Sequence, residues 1–179
     1  ARAEAEAASA LARAQAEAAA GGGGGGGDVV SGGGGGGGGV VGSSGWSRPH
    51  DGSRTSGYGP RTVQCGNSYC SSGYHYGVDF ANGCYTSIYA AAAGTVVYSG
   101  YNGGYGNYIK IDHGNGVSTG YAHISNGGLW VGRGAWVESG QAIAATGQTG
   151  NSFGCHLHFE VYINGGTTNP INFMADRGV

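Results

Sequence analysis

Glycine spacing limits what this 179-residue chain can build. From Val40 onward 28 of 140 residues are glycine, standing singly or in pairs between short runs such as YIKID, GTVVYSG and HFEVYI. Such punctuation leaves little room for a helix of ordinary length, whereas apolar runs of roughly four to eight residues bounded by Gly or Asn are of strand length. The expectation is a turn-rich, all-β, antiparallel domain. Strands are expected at 75–81, 87–101, 107–114, 117–124, 136–147 and 156–165. The segment 46–62, broken by Pro, Gly and Ser, leads into them. The alanine run Ala90–Ala93 favours a helix by propensity, but Tyr89 before it and GTVV after it argue for a buried strand. The Gly/Asn turn of HGNG, between two alternating runs, marks a hairpin.

The first forty residues have another character. Residues 1–20 are strong helix formers with the single Leu11, so an Ala-rich helix is expected, with no apolar stripe to bury. Residues 21–45, two glycine tracts around DVVS and their continuation, read as a flexible linker, and 46–179 as the folded domain. No other segment combines helical periodicity with caps.

Lys110 is the one lysine, and the net charge is −2, so no basic footprint for nucleic acid or an anionic membrane is present. No run approaches the length of a membrane span, and no charged n-region with an apolar h-region marks a signal peptide. A mature, exported form and a monomer are the expectations. The cysteines Cys65, Cys70, Cys84 and Cys155 are even in number and lack any C-x₂-C pair, which favours disulfides over a Cys₄ zinc site. Four cysteines allow three connectivities that spacing does not separate. Cys65 with Cys70 and Cys84 with Cys155 is the pairing favoured.

The chemistry-bearing residues are histidines. In HYGVD, His75 and Asp79 stand four apart, and on extended chain an even separation puts both on one face. An imidazole with a carboxylate suits zinc and is a poor set for calcium or magnesium. In CHLHFEV, His156 and His158 share a face while Leu157 points to the core, a spacing that suits one metal ligand beside one catalytic group. His123, in YAH at a strand end, is a fourth candidate imidazole. His50 and His113 read as structural, the latter in a turn where histidine tolerates φ > 0.

In order and spacing, SGYGPR, HYGVDFA, IYAAAAGTVVYSG, GNYIKIDHGNGVSTGYAHI, VESGQAIAATGQTGNS and CHLHFEV resemble the lysostaphin- and LasA-type, or LytM-type, peptidoglycan-cleaving zinc metallopeptidases, over about residues 46–175. The resemblance implies a barrel-like antiparallel sheet with a Gly-lined cleft. It implies that His75, Asp79 and His158 ligate zinc and that His123 and His156 are the catalytic pair, with neither singled out as the general base. Tyr69 and Tyr74 become candidates to donate to the oxyanion or to line the substrate groove. Glu160 is either an outer partner of an imidazole or a solvent-exposed charge. Arg61 either ties down the leading segment or meets a substrate carboxylate, the structural role being the one expected.

The implied substrate is the peptide part of bacterial peptidoglycan, Gly-Gly bridges or D-Ala-containing cross-links, cut by a secreted or wall-associated enzyme. Two other readings remain. One is a non-catalytic LytM-type module that binds peptidoglycan or activates another hydrolase, although such modules lose ligands and all five residues are present here. The other is a zinc protease acting on Gly-rich proteins.

Overall fold

Twelve strands, most of them short, form among the described residues, 40–66 and 68–179, of the computed structural model. In chain order these are β1 Ser53–Ser56, β2 Gly59–Pro60, β3 Tyr74–His75, β4 Val78–Ala81, β5 Ser87–Tyr89, β6 Gly94–Tyr101, β7 Asn107–Gly114, β8 Val117–Leu129, β9 Trp136–Val137, β10 Ala142–Thr146, β11 Leu157–Ile163 and β12 Gly166–Thr168. A helix, α1 Pro170–Ala175, follows. Ten strands form one sheet with the path β1-β4-β11-β8-β7-β6-β9; β10 pairs with β5 and β8, and β12 with β11. Strands β2 and β3 form a separate ribbon. Every pairing is antiparallel, as the glycine spacing implies.

Strand β11 shows how the pattern positions the site. Leu157, Phe159 and Val161 are at most 1% exposed and pack with Ile109, Ile111, Tyr121 and Ile143 in one apolar core. The alternate residues, His158 and Glu160, necessarily face the other way. Burying each large core side chain is worth about 1.5–3 kcal/mol, so a one-residue slip of β11 would forfeit several such terms and displace both polar groups. The Asn115–Gly116 turn joins β7 to β8 as the HGNG signal implies.

Several expected elements differ. Ala90–Ala93 is a buried bend between β5 and β6 rather than a strand. Its backbone bonds leave the ladder: Ser47 N–H donates to Ala91 O, Ala91 N–H donates to the Tyr121 hydroxyl, and Ala90 N–H donates to Gln141 O. Small side chains let the chain cross the core there. The expected strand 136–147 is two, β9 and β10, because Gly140 at φ 75° and the Glu138–Gln141 turn redirect it to different partners. The leading segment contains β1 and β2, which polar SRTS and the dipeptide GP do not signal; β1 is an edge strand held through its ladder to β4.

Helix α1 was not expected either, although Asn169-Pro170 announces it. The Asn169 side chain accepts from Ile171 N–H at 3.0 Å, and Pro170 takes the first turn. The expected helix at 1–20 and nearly all of the linker lie outside the described residues. Among the described residues no helix is long and apolar enough to cross a membrane.

The favoured disulfide pairing is the one observed, Cys65 with Cys70 and Cys84 with Cys155. The second bridges 71 positions and anchors the chain just ahead of His156. Chain-entropy arithmetic gives that bridge about 4 kcal/mol, against about 2 kcal/mol for the five-residue separation of the first. Urea denaturation of paired Cys→Ser variants is expected to show the Cys84/Cys155 variant as clearly the less stable; equal midpoints would contradict the loop-length argument.

Candidate active site

Register brings β3, β4 and β11 together at one point. In the β4–β11 pair Asp79 lies opposite His158, so both side chains leave the sheet on one face, and His158 Nδ1 sits 3.0 Å from Asp79 Oδ1. His75, four residues before Asp79, places Nε2 at 3.1 Å from the same oxygen and 2.9 Å from His158 Nδ1. Three ligand atoms thus form a nearly equilateral triangle. Between His75 and Asp79, Gly77 passes so close to β11 that a Cβ there would stand 2.5 Å from Phe159 O and 2.8 Å from the His158 ring. Glycine is required at that position for want of space.

The proton inventory states what the triangle is for. His75 Nδ1 lies 2.7 Å from Gly57 O, which can only accept, so Nδ1 carries a hydrogen and the neutral ring presents its lone pair at Nε2. His158 Nε2 donates to Glu160 Oε1 at 3.0 Å, so the neutral ring presents its lone pair inward at Nδ1. With the Asp79 carboxylate ionised and the Nδ1 proton of His158 removed, three acceptors converge on one point, a set that suits a shared cation. Ligands on a tetrahedral zinc at ordinary bond lengths stand roughly 3.3 Å apart. The observed edges of 2.9–3.1 Å and the two imidazoles with one carboxylate fit zinc. Both imidazoles also have the outer carbonyl or carboxylate partner usual for metal-bound histidine.

Burial would raise the Asp79 carboxyl, but hydrogen bonds and charge from His158 and His75 hold it far below the ordinary range. Burial likewise opposes the charged form of His158, yet Asp79 and Glu160 lift it to about 9 in the metal-free chain. Glu160 itself is pushed up by burial and, on balance, pulled down by His158 and by the Tyr162 and Tyr105 hydroxyls.

Beside the triangle stand His123 and His156, with ring centroids 4.7 Å apart. His156 Nδ1 donates to Gly154 O and His123 Nδ1 to Thr149 O, each at 2.8 Å, so in the neutral ring the lone pair of each is at Nε2. His156 Nε2 is 3.7 Å from Asp79 Oδ1. His123 is reached by a bulge in β8 and adopts φ 59°. A left-handed β-strand histidine costs about 1–3 kcal/mol, and the sheet on both sides holds it there. The φ > 0 expected at His113 thus belongs to His123 instead. His113 keeps a structural role, bonded to Ala93 O and Thr119 Oγ1, as does His50 with Thr86 and Gly52. Burial, then the charges of His156 and His158, push His123 down to about 3, so it is neutral at working pH.

These groups lie in an open cleft of about 810 Å³. Glu160 is fully buried rather than solvent-exposed, and its carboxylate also accepts from Tyr105 at 3.0 Å and from Tyr162. Tyr105 carries no local signal in the sequence, being one of twelve tyrosines and coming from a glycine-flanked turn. Both suggested tyrosines line the cleft but differ in commitment. Tyr74 packs edge-on against Tyr58, whereas the Tyr69 ring stacks on Phe153 and its buried hydroxyl has no partner among the described residues.

Comparison with known proteins follows the same residues. The profile of peptidase family M23 matches residues 73–170. DD-carboxypeptidase/endopeptidase Mpg of Neisseria meningitidis is 43% identical over 98 residues, 55% of this chain and 22% of its own length. Murein hydrolase activator NlpD of Salmonella typhimurium is 36% identical over 136 residues, 75% of this chain and 32% of its own. The catalytic domain of the antimicrobial peptidase lysostaphin from Staphylococcus simulans superimposes with a TM-score of 0.61 at 32% identity, over 70% of this chain and 93% of that domain. The chain spans a fifth to a third of the length of these curated relatives.

Proposed function

Given that the chain belongs to peptidase family M23, we propose that it is a secreted zinc metalloendopeptidase cutting the peptide cross-links of bacterial peptidoglycan. The convergence of the His75, Asp79 and His158 acceptors beside two imidazoles with free Nε2 atoms, in an open cleft, carries this reading. His75, Asp79 and His158 would hold zinc, which when bound would supply Lewis acidity toward the scissile carbonyl and the attacking water.

The chain's own groups do the rest. His123 and His156, each fixed in orientation through Nδ1, accept the proton of the attacking water at Nε2 and return one to the departing amine. The unpartnered Tyr69 hydroxyl is the better of the two tyrosine candidates for donating to the oxygen that gains charge, since the hydrogen bond it lacks at rest is supplied as the carbonyl becomes an oxyanion. Glu160 holds the His158 ring by its Nε2–H. Two disulfides suit an oxidising compartment outside the cytoplasm.

Purified cell walls incubated with the zinc-loaded protein are expected to lose turbidity and release new amino termini, and a chelator should abolish both. The likeness to murein hydrolase activator NlpD supports a second reading, a non-catalytic module that binds peptidoglycan or activates another hydrolase. Wall binding without new termini at full zinc occupancy would select that reading.

A further inference from the structure

Among the described residues lining the cleft, Arg61 is the one permanent cation. Strands β2 and β3 pair Gly59 with His75, and the ladder runs one step further as Arg61 N–H donates to Gly73 O at 2.9 Å. Positions two apart on a strand, and positions opposite across an antiparallel pair, share a face. Arg61 therefore projects from the same face as His75, two steps or roughly 7 Å along the ribbon. Gly73 opposite adds no side chain to cover it.

The guanidinium is only partly committed. Its Nε donates to Ser72 O at 3.0 Å, which orients the group, and no further partner is found for its terminal amino groups among the described residues. The cleft carboxylates are otherwise engaged, Asp79 by His75 and His158, Glu160 by His158 and two tyrosines. Tyr69, stacked on Phe153 across the same cleft, lies within reach of the Arg61 charge, which counters the upward push of burial on its phenol. An oriented planar fork with free donors matches a carboxylate bidentately.

We propose that Arg61 is a specificity-determining residue that binds a substrate carboxylate about two residues from the scissile bond, so that the cleft favours anionic stem peptides over uncharged glycine bridges. This rests on the peptidase reading for its substrate class and extends it by choosing between the two kinds of cross-link. A structural role through Ser72 alone would leave the charge without a purpose in a cleft whose acids are already paired.

The test measures calorimetric binding of a synthetic stem tetrapeptide with free side-chain carboxylates, and of its amidated twin, to the zinc-loaded protein. Wild type is expected to bind the acid form at least about tenfold more tightly, the scale of a charge-assisted hydrogen-bond pair. Arg61→Met should erase that preference with zinc content retained, and Arg61→Lys should keep part of it. Equal affinities in wild type, or equal loss for both peptides in Arg61→Met, overturn the assignment. A preference for the acid form with no new amino termini released from cross-linked cell walls would leave the carboxylate site standing while the endopeptidase reading fails.

Discussion

Substitution of His156 by alanine is expected to leave one equivalent of zinc bound and to slow cross-link hydrolysis by about 10²–10⁴-fold, the span assigned to a positioned general acid or base. The expectation follows from where the ring is held. Its Nδ1 is occupied by Gly154 O, and its Nε2 stands 3.7 Å from Asp79 Oδ1, outside the triangle whose edges are 2.9–3.1 Å. His123→Ala should resemble it, since that ring is oriented the same way by Thr149 O. If the two imidazoles work as one proton relay, the double variant will be little worse than either single one. Metal analysis decides the assignment: zinc lost from His156→Ala would make His156 a ligand, and unchanged turnover would remove it from the chemistry.

Much of this arrangement was readable because period-two geometry acts locally. H-x-H on an extended run puts two imidazoles on one face whatever the rest of the fold does, and the core burial of Leu157 shows that rule at work. The hairpin at HGNG was equally legible, since turn and strands are contiguous. What escaped depends on long-range contacts. Burial of Glu160 is set by β8 and by tyrosines at 105 and 162, so no window around it distinguishes an outer-shell carboxylate from a surface charge. The left-handed backbone of His123 arises from a bulge against two neighbouring strands, a property of the sheet rather than of YAH. Strands β1 and β2 consist of residues whose side chains contribute little, so only their ladder partners define them.

His158→Ala is expected to have the second large effect and the opposite signature, loss of the metal together with the activity. Replacing an outer partner of a metal-bound histidine commonly costs 10–100-fold in affinity, so removal of the ligand itself should cost at least about a hundredfold. Two further consequences follow from burial. The substitution leaves Glu160 in the interior without its charged partner, opposed only by the Tyr105 and Tyr162 hydroxyls, so the variant should also unfold at lower urea concentration. In the metal-free wild type, the His158 proton, held up to about 9 by Asp79 and Glu160 against the cost of burial, must leave before Nδ1 can ligate. Zinc affinity is therefore expected to rise with pH through the neutral range and level off near 9, each binding event releasing protons that calorimetry in two buffers can count. Full zinc occupancy in His158→Ala, or an affinity flat between pH 6 and 9, would mean that the converging acceptors of β3, β4 and β11 are held by hydrogen bonds alone and that the metal sits elsewhere.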